Sequence, residues 1–180
     1  MRIANFVTTL GFALSAATAS AQSVTYDYDK SADFSKFRTY AWTSGTNLAD
    51  QLNHKRIVSS IDAQLTAKGF TLVSSDSNPD VLVAYHARFD KNLEINGFEN
   101  GWGAPRFGAS RSGRATVDEV TTGTLVVDLM DPKTRSVLWS GIAAKELDAK
   151  AKPDKKDKNA AKAAEKIFNN YPPNVRGGNE

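Results

Sequence analysis

The sequence predicts an α+β fold, in which an antiparallel or mixed sheet of about six strands carries two helices packed on one face. Three observations predict it. Several segments alternate apolar and polar residues, which indicates strands, and two others repeat apolar residues at intervals of three and four, which indicates helices. A turn motif over residues 131–134 joins two long strands as a hairpin.

The first two strands are predicted over residues 23–29 and 39–42. The first alternates valine and tyrosine with polar residues, and the second lies in a segment rich in rings, which are Phe34, Phe37, Tyr40 and Trp42. Because rings bury large apolar areas, we expect this cluster at the edge of the core. A carbohydrate-stacking platform is the alternative.

A helix is predicted over residues 50–68, where Ile57, Ile61 and Leu65 form an apolar stripe and Gly69 supplies a stop. His54 extends the stripe by one turn. A lone histidine there predicts a partly buried packing residue, because a metal site needs further ligands at suitable spacing.

Two more strands are predicted over residues 70–75 and 80–89, separated by a turn over residues 76–79. In the second strand Val81, Val83 and Tyr85 share one face. His86 belongs to the other, less apolar face, where we expect water or a loop.

Residues 91–117 are predicted to form a long glycine-rich loop. Any recognition surface is expected over Phe98 to Arg114 of this loop, because exposed rings and arginines offer stacking and anion pairing together. The predicted binding residues are Trp102, Arg106, Phe107 and Arg111.

The hairpin strands are predicted over residues 118–131 and 136–147. Asp128 and Asp131 are three residues apart, one on a strand and one opening the turn before Pro132. A carboxylate dyad needs two acids within a few ångström. We therefore interpret these two as hairpin residues and predict no catalytic residue.

The C-terminal part is predicted to contain a lysine-rich flexible connector over residues 148–158 and a helix over 159–170. Asn159 is the expected cap and Pro172 follows the end of the helix. Residues 22–175 are expected to form a single domain, followed by a flexible tail over 176–180.

Composition excludes several kinds of chemistry. The chain has no cysteine, two histidines and a net charge of +3. It therefore cannot form a disulfide, use a thiol nucleophile or carry a lipid on a cysteine, so membrane anchoring is not expected. We predict no metal site, no cofactor and no nucleic-acid partner, because the histidines lack ligand spacing and the charge balance is mild.

Residues 1–21 have the pattern of a secretory signal peptide: an early Arg2, an apolar run, and small residues ending at Ala21. The apolar run is shorter than the ~20 residues of a membrane span. We expect cleavage before Gln22 and a periplasmic or secreted protein.

Three stretches resemble a known family: residues 26–42, the hairpin from Gly123 to Gly141, and KIFNNYPP near the end. Together they resemble the bacterial envelope family of domain of unknown function 4136 (DUF4136). In the first stretch the matching residues are Asp33, Phe34 and Trp42. The resemblance implies a small exported α/β domain, frequently a lipoprotein, without an established activity.

The sequence favours a non-enzymatic envelope protein that binds or scaffolds an unknown envelope protein or polymer. The alternative is a hydrolase acting on envelope polymers, using Asp118, Glu119 or Asp128 with a loop residue. A third class is stress or assembly support without a small ligand.

Overall fold

The structure is a computed structural model, and it describes residues 22–43, 45, 50–96 and 116–174. Within these ranges the chain forms six strands and two α-helices. In chain order they are β1 (Ser23–Tyr28), β2 (Thr39–Trp42), α1 (Gln51–Ala67), β3 (Thr71–Leu72), β4 (Val81–Asn96), β5 (Thr116–Met130), β6 (Val137–Leu147) and α2 (Pro153–Phe168).

All six strands form one mixed sheet in the order β1-β6-β5-β4-β2-β3. The first four strands in this order pair antiparallel with one another, whereas β2 pairs parallel with both β4 and β3. The crossover from β2 to β3 contains α1, as a parallel connection requires. The predicted α+β class, with a mixed sheet of six strands, is confirmed.

The predicted loop over residues 91–117 is wrong at both ends. The ladder between β4 and β5 continues as far as the pair Asn96 and Thr116, so residues 91–96 and 116–117 belong to strands. Ile95 pairs with Val117 there, and such residues suit a pleated ladder. Residues 97–115, which contain the glycines on which the loop prediction rested, lie outside the described residues.

Two other predicted boundaries are corrected. β3 is shorter than residues 70–75, because the Ser74 side chain accepts a hydrogen bond from the Asp76 amide and starts a 3₁₀ turn. The connector predicted over residues 148–158 is helical from Pro153 onward, so Asn159 is inside α2 and is not its cap. Proline suits the first helical position because it lacks a backbone N–H, and an N–H at that position would have no partner within the helix.

An aromatic cluster fills the core between the helices and one end of the sheet. Trp139 on β6 stacks on Phe168 of α2 with ring centroids 5.6 Å apart, and Tyr171 meets the same indole edge-on at 5.5 Å. Trp139 and Phe168 are fully buried. This cluster therefore fixes α2 against β6.

The aromatic residues near β2 also belong to the core, as predicted. Tyr40 is 1% exposed, and its hydroxyl donates to the Asp62 carboxylate of α1 at 2.6 Å. Trp42 donates its indole N–H to the same carboxylate at 3.0 Å. His54, also as predicted, is a packing residue, and its Nδ1 contacts the hydroxyl of the buried Tyr85.

Gly141 lies beneath α2 and allows this close packing. A Cβ atom there would lie 2.5 Å from Cη2 of Trp139 and 2.6 Å from Cγ2 of Ile167. Both neighbours are fully buried and cannot move aside easily. At Gly123 on β5, the Cβ atom would meet only the flexible end of Leu147 and a more distant ring atom of Phe89.

We predict that Gly141→Ala lowers the free energy of unfolding by about 1–3 kcal/mol, because it overpacks the core. The matched control Gly123→Ala should change it by less than about 1 kcal/mol, because the Leu147 side chain can turn away. Urea unfolding measures both values. Equal losses in the two variants would contradict the packing described for Gly141.

A second prediction compares two buried tyrosines. Tyr40→Phe removes a hydrogen bond to a carboxylate and should cost about 2 kcal/mol. Tyr171 is also buried, but its hydroxyl has no hydrogen-bond partner in the described part of the chain, so Tyr171→Phe should cost almost nothing. Thermal unfolding at pH 7 measures both.

The stability of both variants should also depend less on alkaline pH than that of the wild type. Burial raises the pKa of Tyr40 and of Tyr171, and the Asp62 carboxylate raises that of Tyr40 further. The unfolded chain therefore releases these protons first, and stability falls as the pH rises above about 10. Either substitution should reduce that fall, and an unchanged pH profile in both would contradict the raised values.

Candidate functional site

A groove opens between the sheet and the two helices, at the end away from the aromatic cluster. Its volume is about 210 Å³. The side chains there are small, whereas the other end holds Trp139 and Phe168. The space is open because small residues surround it, namely Ala87, Gly123 and Ala143 on the sheet and Ala160 and Ala163 on α2.

Larger apolar side chains complete the walls. Leu125 and Leu147 line the sheet side, and Ile57 lines the α1 side. Phe89 lies at the same place, directly across the ladder from Gly123, and it is 45% exposed. An exposed ring beside a concave apolar surface is a feature of ligand sites.

Both helices begin at the groove end of the sheet. Near their starts, Arg56 of α1 pairs with Asp157 of α2, and both Arg56 and Lys156 line the groove. Beyond their ends, the Lys68 ammonium donates to the Tyr171 carbonyl at 2.6 Å. The helices therefore run in the same direction, and the positive ends of both dipoles lie at the groove.

Cationic side chains surround the opening. Arg56, Lys145 and Lys156 line the groove together with one acid, Asp148. Asp148 is bound by the Lys155 ammonium at 3.2 Å, which lowers its pKa, and by the Lys150 amide. Lys145 donates to the amide oxygen of Asn159, and within the described ranges neither Lys145 nor Lys156 forms an ion pair.

Thr121 adds a buried polar group to the groove wall. The residue is 8% exposed, and its hydroxyl oxygen has no hydrogen-bond partner among the described residues. The strand register pairs Thr121 with Leu147 and Gly123 with Lys145. Thr121 and Lys145 are therefore diagonal neighbours across two strands, with ~7–8 Å between them.

The hairpin acids do not meet in this groove. Asp128 lies between the core residues Val127 and Leu129, so it points to the opposite face of the sheet, where it accepts a hydrogen bond from the Ser140 hydroxyl at 2.6 Å. His86 lies 3.7 Å from the same carboxylate and its side chain is half exposed, as predicted.

Asp131 opens the turn, as the sequence predicts. Its carboxylate accepts hydrogen bonds from the Thr134 amide at 2.7 Å and the Lys133 amide at 2.8 Å. These bonds lower its pKa. Asp131 therefore stabilises the hairpin turn, and Asp128 and Asp131 have separate hydrogen-bond partners.

The other acids of the hydrolase alternative lie far along β5. Asp118 pairs with Glu94 and Glu119 with Leu93, near the far end of the hairpin. Ten residues of strand place the Asp118 backbone ~30 Å from that of Asp128. That separation rules out a shared proton between Asp118 and Asp128.

The predicted binding residues Trp102, Arg106, Phe107 and Arg111 lie outside the described residues, so that prediction stays open. In the ranges that the structure covers, no three histidine, aspartate or glutamate side chains come together as a possible metal site. Neither helix in those ranges has the length and apolar character needed to cross a membrane.

A model of the family named domain of unknown function (DUF4136) matches residues 24–173. The chain belongs to the DUF4136 family. A comparison with curated proteins finds no match. The family resemblance seen in the sequence is thus confirmed over most of the chain.

Solved structures with a similar fold include parts of larger proteins. This DUF4136 chain is 20% identical to a PDZ domain protein from Parabacteroides distasonis, with a TM-score of 0.57, and the match covers 84% of this chain but 36% of that one. The similarity indicates a shared fold.

Two weaker similarities involve smaller proteins. A PelC dodecamer from Paraburkholderia phytofirmans is 11% identical, with a TM-score of 0.43 and coverage of 82% of this chain and 96% of that one. Lipoprotein GNA1162 from Neisseria meningitidis is 12% identical, with a TM-score of 0.43 and coverage of 73% and 99%.

The residues that carry the family pattern have structural contacts in this DUF4136 domain. Asp33 accepts hydrogen bonds from the Ser35 hydroxyl and amide, and the Ser35 hydroxyl and the Lys36 ammonium lower the pKa of Asp33 to about 2. Phe34 lies in the core and contacts Tyr171 edge-on. The contact between Phe34 and Tyr171 joins the start of the domain to its end.

The groove is not among the features predicted from the sequence. The signal that could have found it is the size of the residues on the core face of each strand. Along β6 these are Trp139, Gly141 and Ala143, so two small residues follow the large indole in the direction of the groove. Alanines 160 and 163 face the same space from α2.

We predict that Thr121→Val leaves the free energy of unfolding unchanged or raises it by up to about 1 kcal/mol, because it removes a buried hydroxyl without a partner at nearly constant shape. As a contrast, Thr39→Val should destabilise the protein, because the Thr39 hydroxyl donates to Asp80 and accepts from its amide. Urea unfolding measures both. A loss of more than about 1 kcal/mol for Thr121→Val would mean that its hydroxyl is satisfied.

Proposed function

We propose that this DUF4136 protein is a non-enzymatic binding domain exported to the bacterial envelope, and that the groove is its ligand site. The observation that carries the proposal is the combination of an apolar groove and a cationic opening at one fixed place in the fold. Concave, mostly apolar surfaces with a few converging polar groups are the usual form of a ligand site.

The contacts of the acids favour binding over hydrolysis. At the groove, the Asp148 carboxylate accepts from the Lys155 ammonium and the Lys150 amide, and Asp157 nearby is paired with Arg56. On the other sheet face the Ser140 hydroxyl donates directly to the Asp128 carboxylate. In a serine-histidine-aspartate triad, by contrast, a histidine accepts the serine proton and the carboxylate holds that histidine. A nucleophilic serine needs a base that accepts its proton, oriented in turn by a third group.

Export is supported by the N-terminal pattern, in which Arg2 precedes an apolar run and the small residues Ala19 and Ala21. The groove is compatible with this location, because it needs neither a thiol nor a cofactor. The two parts of the proposal are independent, so each has its own measurement.

The test of export uses the full 180-residue chain in a Gram-negative host. We expect a product that begins at Gln22 in the periplasmic fraction, identified by mass spectrometry. Ala21→Arg should block cleavage, because the peptidase requires small residues at that site. An uncleaved wild-type chain in the cytoplasm would contradict export.

The test of the non-enzymatic role incubates the purified protein with isolated cell-wall polymer and measures released soluble fragments. We expect no release above the rate without protein, for the wild type and for Asp128→Asn alike. Release by the wild type that is lost in Asp128→Asn would establish the hydrolase alternative.

A further inference from the structure

We propose that the groove binds a single-chain amphiphile whose acyl chain ends in a carboxylate. This inference rests on the proposed binding function and names the chemical class of its ligand. The acyl chain occupies the apolar floor, and the carboxylate lies at the cationic opening.

The floor suits a chain of methylene groups. It is lined by alanine, leucine and isoleucine side chains and by Phe89, whose ring is 45% exposed without a ligand. At ~30 Å³ for a group of the size of a water molecule, the groove accommodates about seven such groups. This corresponds to the volume of a medium acyl chain, whose methylene groups are stabilised when they leave water.

The opening suits an anion. Lys145 and Lys156 carry charges that no ion pair within the described residues neutralises, and both line the groove. The first turn of α2 carries the acid Asp154, but its N-cap residue Lys152 makes no side-chain capping bond, so no cap side chain occupies the amides there. In α1 the equivalent position is occupied by Asp50, whose carboxylate accepts from the Leu52 and Asn53 amides.

Thr121 is the independent observation that indicates a polar ligand atom. Its hydroxyl is buried in the groove wall without a partner, beside the diagonal neighbour Lys145. A carboxylate oxygen between them would accept from both the hydroxyl and the ammonium. Charge-assisted bonds of this kind are about twice as strong as neutral ones.

The register also sets the orientation of the ligand. Lys145 and Thr121 are on the side of the groove toward Leu147, and Ala143 and Leu125 are on the side toward Trp139. The carboxylate therefore lies toward the end of β6, and the acyl chain points along the strands toward the aromatic cluster.

The test is isothermal titration calorimetry of the wild-type protein that begins at Gln22. The ligand is octanoate, and octan-1-ol and acetate are the controls. We expect saturable binding of octanoate, at least tenfold weaker binding of octanol, and no detectable binding of acetate. Absence of octanoate binding, or equal binding of octanoate and octanol, would overturn the proposal.

Two matched pairs of variants locate the ligand. Phe89→Ala should weaken octanoate about tenfold, since a half-exposed ring contributes about 1.4 kcal/mol of contact. Its control Leu72→Ala removes another exposed apolar side chain, at the far edge of the sheet, and should have no effect. Lys156→Gln should weaken octanoate about threefold, whereas Lys162→Gln on the exposed face of α2 should not.

Thr121→Val separates binding from stability. It should weaken octanoate while leaving the unliganded protein as stable as the wild type or more so. If octanoate affinity is unchanged in Phe89→Ala, Lys156→Gln and Thr121→Val together, the groove is not the site. Affinity that falls as a dimer forms, seen by light scattering, would show that a second copy covers the groove and would also overturn the proposal.

Failure of this inference differs from failure of the proposed function. A protein that is exported but does not bind octanoate retains its location and loses this ligand class only. A protein that stays in the cytoplasm, or that hydrolyses cell-wall polymer through Asp128, contradicts the proposed function whatever its affinity for octanoate.

Discussion

The contact between Trp139 of β6 and Phe168 of α2 is the interaction on which the rest of this structure depends. It is possible only because Gly141 leaves room for the indole and for Ile167. Once the end of α2 is fixed there, the small side chains of Ala160 and Ala163 on the same helix cannot fill the space above the sheet. The groove is therefore a consequence of tight packing at the other end of the same core.

The positive charge at the groove follows from the same packing of the helices on the sheet. Because α1 and α2 run in one direction, both positive helix ends lie at the groove, together with lysines from β6 and α2. The acids of the hairpin are used elsewhere, Asp131 in the turn and Asp128 in a hydrogen bond across strands. The net charge of the chain is small, so this local concentration of positive charge arises from the fold and not from composition.

Much of the fold could be predicted from local patterns. Period-two alternation located most strands, the apolar stripe located α1, and Asp131 with Pro132 located the hairpin turn, because each is decided by neighbouring residues. The start of α2 could not be found in this way. Residues 153–158 are polar and lysine-rich, so no apolar stripe marks them as helical, and the Arg56 partner of Asp157 lies about a hundred residues away in the sequence.

The groove was harder to predict, because it is a property of residues from different elements. Ala87, Gly123 and Ala143 have no distinctive sequence pattern, and they form a cavity only once the register places them around Leu125 on the face that the helices cover. The unpartnered state of the Thr121 hydroxyl is likewise visible only after folding. Sequence patterns predict which face of a strand is buried. A groove of this kind depends instead on the sizes of the side chains that pack against that face.

The most direct test of the central claim is the NMR spectrum of protein carrying ¹³C-labelled alanine methyl groups, recorded with and without octanoate. We predict that the methyl chemical shifts of Ala143, Ala160 and Ala163 change on titration with octanoate. Those of Ala41 and Ala84, on the opposite face of the sheet, should not change. Shifts confined to Ala41 and Ala84 would contradict it.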